Sequence, residues 1–148
     1  MKVLISSAIV CTMMGLVFLL ARKGIIPAQA RYYSDDQTAA SYAVAHFHAQ
    51  FNAGHFEEIY QEADPFFRRQ EKASILGVMN EMQAKFGDFL SSVRVYAKEN
   101  PDGTVFFNYN SKCEKGPVTE RFIWKVNHGN ATLMRYMIYP EAVPPAKK

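Results

Sequence analysis

Glu120 is the residue of this chain whose setting most invites chemistry. In the stretch Val118 to Val126, strict alternation puts its carboxylate on the same face as Val118, Phe122, Trp124 and Val126. A carboxylate on an apolar face needs a partner. In a pocket, desolvation raises its pKa and makes it a general acid or base. The competing expectation is structural: a glutamate near a strand end, paired with a cation such as Lys112 or reaching water at the sheet rim. Tyr109, Trp124 and Tyr136, on this strand and its neighbours, are the candidate ligand-binding side chains around it, although tyrosine is also ordinary strand material.

The histidines point away from metal chemistry. His46 and His48 lie about 200° apart on a helix and share no ligating face. Gly54 separates His48 from His55, and no Cys or Asp completes a ligand spacing, so surface or interfacial roles are expected and no metal. The chain has no Gly-rich phosphate loop, no serine-nucleophile elbow and no Cys-x-x-Cys. Conventional nucleotide and redox chemistry, and a cofactor to carry it, are therefore not expected. Cys113 stands alone beyond the first thirty residues, as a buried small hydrophobe or as an exposed thiol able to pair between chains.

Helices come first among the elements that must position these groups. Ser34-Asp35-Asp36-Gln37 reads as a helix start, and Ala40, Ala43, Val44, Phe47 and Phe51 recur on one face until Gly54. A shorter segment, His55 to Ala63, carries Phe56, Ile59 and Tyr60 inward and is broken by Asp64-Pro65. A further turn follows through Phe66-Phe67, and then Ile75, Leu76, Met79, Met82 and Phe86 define a long helix ended by Gly87. Beyond Gly87 the period becomes two. Phe89, Ser91, Val93, Val95 and Ala97 share a face, and turns at Asn100 to Gly103, Glu114 to Pro117 and Asn127 to Asn130 separate four strands. Such short connections favour an antiparallel meander. The expected fold is α+β, with N-terminal helices packed on a curved four-stranded antiparallel sheet.

Both faces of that sheet keep apolar groups. Phe106 opposes Phe107, Ile123 opposes Trp124, and Met134 with Ile138 opposes Leu133 with Met137. One face packs on the helices. Either a homodimer through the other sheet face, or helix ends and the tail, is expected to cover what remains.

Residues 3–21 form an almost unbroken apolar run, flanked by Lys2 and by Arg22-Lys23 and followed by Ala28-Gln29-Ala30. Residues 1–30 are thus a signal peptide or an N-terminal membrane anchor. Cleavage after Ala30 leaves an exported domain, periplasmic or extracellular; retention leaves one tethered to the membrane. Residues 31–139 form the domain, and residues 140–148, with three prolines and two terminal lysines, read as a disordered tail. Of the 17 Lys and Arg, three lie in the leader, so the rest of the chain balances its 14 Asp and Glu with as many cations. The cations are scattered along the sequence, which argues against nucleic acid as a partner.

The order and lengths of these elements resemble the cystatin-like superfold that includes nuclear-transport-factor-like proteins, and among them small exported bacterial proteins without a characterised role. The resemblance spans about Asp36 to Tyr139 and rests on Phe47, Phe51, Gly54, Phe56, Ile59 and Tyr60. Ile75-Leu76-Gly77, and Glu120 ahead of Trp124, extend it. It implies a bent sheet around a long helix and, in some members, a conical pocket used for catalysis, ligand binding or dimerisation, so fold alone does not assign function. Two readings follow. One is a non-enzymatic exported or membrane-tethered binding or interaction domain of unknown ligand. The other is a metal-independent pocket enzyme, of isomerase or dehydratase type, with Glu120 as general acid or base.

Overall fold

The computed structural model describes residues 34–140, and both the leader and residues 141–148 lie outside that range. Helix α1 spans Asp35–Asn52, α2 spans Phe56–Glu62, and a single 3-10 turn, Phe67–Arg69, leads into α3, Lys72–Phe86. Strands β1 (Phe89–Glu99), β2 (Thr104–Cys113), β3 (Gly116–Asn127) and β4 (Asn130–Pro140) follow as one antiparallel meander in the order β1-β2-β3-β4. This is an α+β fold. Strand β4 runs through Pro140, so the first residue assigned to the tail belongs to the sheet. Among the described residues no helix is long and apolar enough to cross a membrane.

Local chemistry sets the element ends. The Ser34 hydroxyl accepts from the Gln37 amide at 3.1 Å, capping α1 while Asp35 and Asp36 meet its positive end. Helix α3 stops at Gly87, whose φ of 73° is left-handed and whose missing side chain leaves room for Glu114. His128 and Gly129, at φ 49° and 76°, form the two-residue turn that joins β3 to β4.

Helix α1 packs across all four strands and buries Ala40, Val44, Phe47 and Phe51 against them. The facing strand residues include Val105, Phe107, Val118, Phe122 and Trp124, so one aromatic-rich core lies between helix and sheet. Phe122 sits at its centre, meeting Phe47 edge-on at 5.3 Å and Trp124 in a stack at 5.8 Å.

Bulges alter the strand faces that simple alternation predicts. Between Phe89 and Ser91, and again between Arg94 and Tyr96, β1 carries an extra residue relative to β2. The first slip turns Ser92 and Arg94 inward beside Phe89 and sends Val93 out, where it is 66% exposed. Strand β4 bulges at Met134, because Ile123 pairs with Arg135 while Trp124 pairs with Leu133. Leu133 and Ile138 therefore share the inner face and Met137 lies outside, correcting the grouping of Leu133 with Met137.

The end of α1 is tied to the start of β1 by one side chain. Asn52 donates from Nδ2 to the Phe89 carbonyl at 2.9 Å and accepts from the Phe89 amide at 2.8 Å through Oδ1, completing the backbone pairing of that residue. Asn52→Ala is expected to lower unfolding stability by about 1–3 kcal/mol in urea titrations. An unchanged midpoint would mean that solvent replaces both bonds without loss.

Candidate functional site

Strand β3 carries Glu120 into the middle of the core, where the side chain has no solvent exposure. Three side chains from three elements converge on its carboxylate. His48 of α1 brings Nε2 to 2.9 Å from Oε1 and 3.1 Å from Oε2. Tyr136 of β4 donates its hydroxyl to Oε1 at 2.9 Å. Ser111 of β2 donates to Oε2 and, having one proton to give, accepts from Ser92 of β1 at 2.8 Å. The chain Ser92 to Ser111 to Glu120 thus crosses three strands on the inner face, and each carboxylate oxygen has two neighbours.

His48 completes the cluster through its ring as well as its nitrogen. It stacks on Phe89 at 4.4 Å and lies edge-on to Phe122 at 5.8 Å, with only 14% of the side chain exposed. The surface role assigned to it is therefore corrected, although His46 behaves as expected and meets Glu62 at 3.0 Å on the outside. The helical spacing held the signal. His48 follows Val44 by four and precedes Phe51 by three, which places it on the buried stripe of α1. Ser111 and Ser92 left less trace, since Ser92 reaches the inner face only through the β1 bulge. Lys112 is not a partner of Glu120, because it lies on the opposite sheet face.

Tyr136 and Glu120 are brought together, whereas Tyr109 and Trp124 flank the cluster. Tyr109 is paired with Glu120 in the ladder and sets its ring edge-on to Phe107 and Phe122, both at 5.9 Å. Trp124 has its Nε1–H buried without a partner among the described residues, and it lines a cavity of about 50 Å³ with Phe47, Gln50, Ile59 and Leu133. A wider groove of about 130 Å³ runs between α3 and β4, floored by Ile75, Met79, Met82 and Met134 and bordered by Phe66 and Arg135. Glu120 lines neither of them. Among the described residues no three His, Cys, Asp or Glu side chains gather in ligating range.

Two neighbours feel the buried carboxylate. Burial first, and then the negative Glu120, hold the Tyr136 phenol well above its ordinary range, so it remains a donor. The same two causes in the same order push the Cys113 thiol up to about 11.

The chain matches no family model, and no curated protein or solved structure is significantly similar to it.

The raised thiol gives a direct test. A folded-state pKa above the ordinary 9.0 means that the native protein holds the proton longer than the unfolded chain does. The stabilising contribution is complete below pH 9 and is lost as pH rises toward 11, with Tyr136 acting in the same sense. In a Cys11→Ser chain, Cys113 is expected to resist alkylation at pH 8 and to titrate near pH 11. Rapid native modification at pH 8 would contradict the buried, neutral thiol.

Proposed function

We propose that this chain is a non-enzymatic binding or interaction domain, exported or held at a membrane by its leader. The observation that carries this reading is the closure of Glu120. An acid or base must reach the atom whose proton it moves. Here the only carboxylate within the core among the described residues is fully buried, its oxygens are occupied by His48, Ser111 and Tyr136, and it lines neither the α3–β4 groove nor the cavity at Trp124. Such a group fixes the mutual positions of α1 and three strands rather than meeting a substrate.

The features left open suit recognition. The buried indole N–H of Trp124 is a donor lacking an acceptor among the described residues, and the methionines of the α3–β4 groove make an adaptable apolar surface. The pocket-enzyme reading requires the opposite arrangement, with Glu120 facing a solvent-connected cavity.

Stability separates the two readings. Glu120→Gln keeps the volume but removes the charge that His48, Ser111 and Tyr136 converge on, and it is expected to cost about 1–3 kcal/mol in chemical denaturation. A residue held for chemistry at the expense of stability behaves otherwise, and its replacement leaves stability equal or higher. A Glu120→Gln chain as stable as the parent would remove this proposal.

A further inference from the structure

The outer face of the sheet is charged in one sign. Cross-strand register sets Lys98, Phe106, Ile123 and Arg135 in one row and Tyr96, Asn108, Arg121 and Met137 in the next. Lys112 lies further along, beside Ser91 and Pro117, and Lys125 lies between Thr104 and Thr132. The four strands contain six cations, and only Arg94 turns inward, under the bulge of β1, to lie over the Phe107 ring at 4.6 Å. Their two carboxylates, Glu99 and Glu120, are both in register with inner-face residues. Cations scattered along the sequence are thus gathered by the two-residue period onto one surface.

Little on the molecule neutralises that surface. Lys98, Lys112 and Arg135 have no hydrogen bond or ion pair to a described residue, and Arg121 meets only the Asn108 amide oxygen, at 3.3 Å. Lys125 donates to the Asp102 carbonyl in the β1–β2 turn. Between the cations stand aromatic and apolar groups: Tyr96 is 50% and Tyr139 47% exposed, and Phe106, Ile123 and Met137 line a shallow depression with Arg121 and Arg135. The acidic groups are elsewhere. Residues 34–88 hold nine Asp and Glu against four Lys and Arg, while residues 89–140 hold seven cations against four carboxylates.

We infer that the outer sheet face docks on an anionic lipid surface, with Lys98, Lys112, Arg121 and Arg135 toward the phosphates and the exposed tyrosines at headgroup level. This deepens the reading of an exported or tethered interaction domain and rests on it. Charge complementarity selects an anionic partner, and interleaved aromatic and apolar groups suit an interface that is wet on one side and apolar on the other. The same polypeptide carries the apolar run 3–21, and residues 22–33 add at most about 40 Å of reach before Ser34. Ser34 bonds Glu99 on the inner side of β1, so the described chain begins at this edge strand, on the face opposite Lys98. A second copy fits less well, because a face-to-face contact sets two cationic surfaces against each other, while the strand carboxylates Glu99 and Glu120 are in register with the inner face.

Lysine footprinting on the full-length chain tests the inference at the face itself, whatever the leader does. The protein is acetylated with vesicles of phosphatidylcholine alone, or with about one-third phosphatidylglycerol, and modification is read residue by residue. Anionic vesicles are expected to slow modification of Lys98 and Lys112 about tenfold, with Lys85 of α3 unchanged, and salt is expected to restore the rate. Arg121→Glu with Arg135→Glu, both exposed positions, is expected to abolish the difference without lowering the melting temperature.

Equal rates on the two vesicle types would overturn the inference, as would equal protection of Lys85. Protection that grows with protein concentration in the absence of lipid would assign the face to a second copy, and protection by a single-stranded oligonucleotide alone would assign it to nucleic acid. Either result overturns the lipid surface. None of these outcomes alters the denaturation of Glu120→Gln, so failure here is distinct from failure of the non-enzymatic reading.

Discussion

A carboxylate enclosed by phenylalanines is tolerable only if donors reach both of its oxygens, and the inner architecture of this domain follows from that condition. Glu120 sits on a central strand, so its donors must come from other elements: His48 from the helix above, Ser111 from β2 and Tyr136 from β4. Each contact fixes a relationship that apolar packing leaves loose. Phenylalanines stack in many arrangements of similar energy, whereas a histidine nitrogen must arrive within hydrogen-bond range of one oxygen pair. Hydrophobic burial holds α1 on the sheet, and the Glu120 cluster selects the rotation and translation at which it sits.

The bulges make that cluster possible and also give the sheet two unlike faces. Without the slip near Leu90, Ser92 would point outward and Ser111 would have no hydroxyl behind it. The same slip carries Arg94 inward, where its guanidinium lies over Phe107 and donates to Ser41 of α1 at 3.0 Å. Polar groups consequently enter the inner face in pairs or chains. Val93, freed from the core, joins Tyr96 on the outside. One extra residue thus exchanges an apolar group for polar ones on the helix side and does the reverse on the other.

Much of this was legible in the sequence, and what escaped has a common cause. Helix ends were marked by local chemistry, the serine cap at Ser34 and the glycine at Gly87, and strands by a clean period of two. Glu120 stands out because a charged residue interrupts an apolar face, and Tyr136 is a candidate beside it, whereas their contact depends on how β3 and β4 pair. His48 was hidden in plain periodicity, three residues from Phe51, because histidine is ordinarily found near the surface. The faces of β1 and β4 were not legible. A bulge is set by which residue pairs across the ladder, and that choice depends on the neighbouring strand and the helix over it rather than on the strand's own composition.

Charge obeys the same distinction between order along the chain and order in space. A balanced count of cations and acids suggests a surface without preference, yet balance of the whole says nothing about distribution. Helices α1 to α3 and their connections take the acidic excess because carboxylates cap helix starts and solvate outward stripes, as Asp35, Asp36, Glu57 and Glu58 do. Lysine and arginine fall at alternate positions of the strands, as in Arg121 and Lys125, because long stems lie along a half-buried sheet while their heads reach water. Each preference is local, and meander topology adds them together. A domain built this way acquires a negative side and a positive side, and a field with that separation orients the molecule before any contact forms.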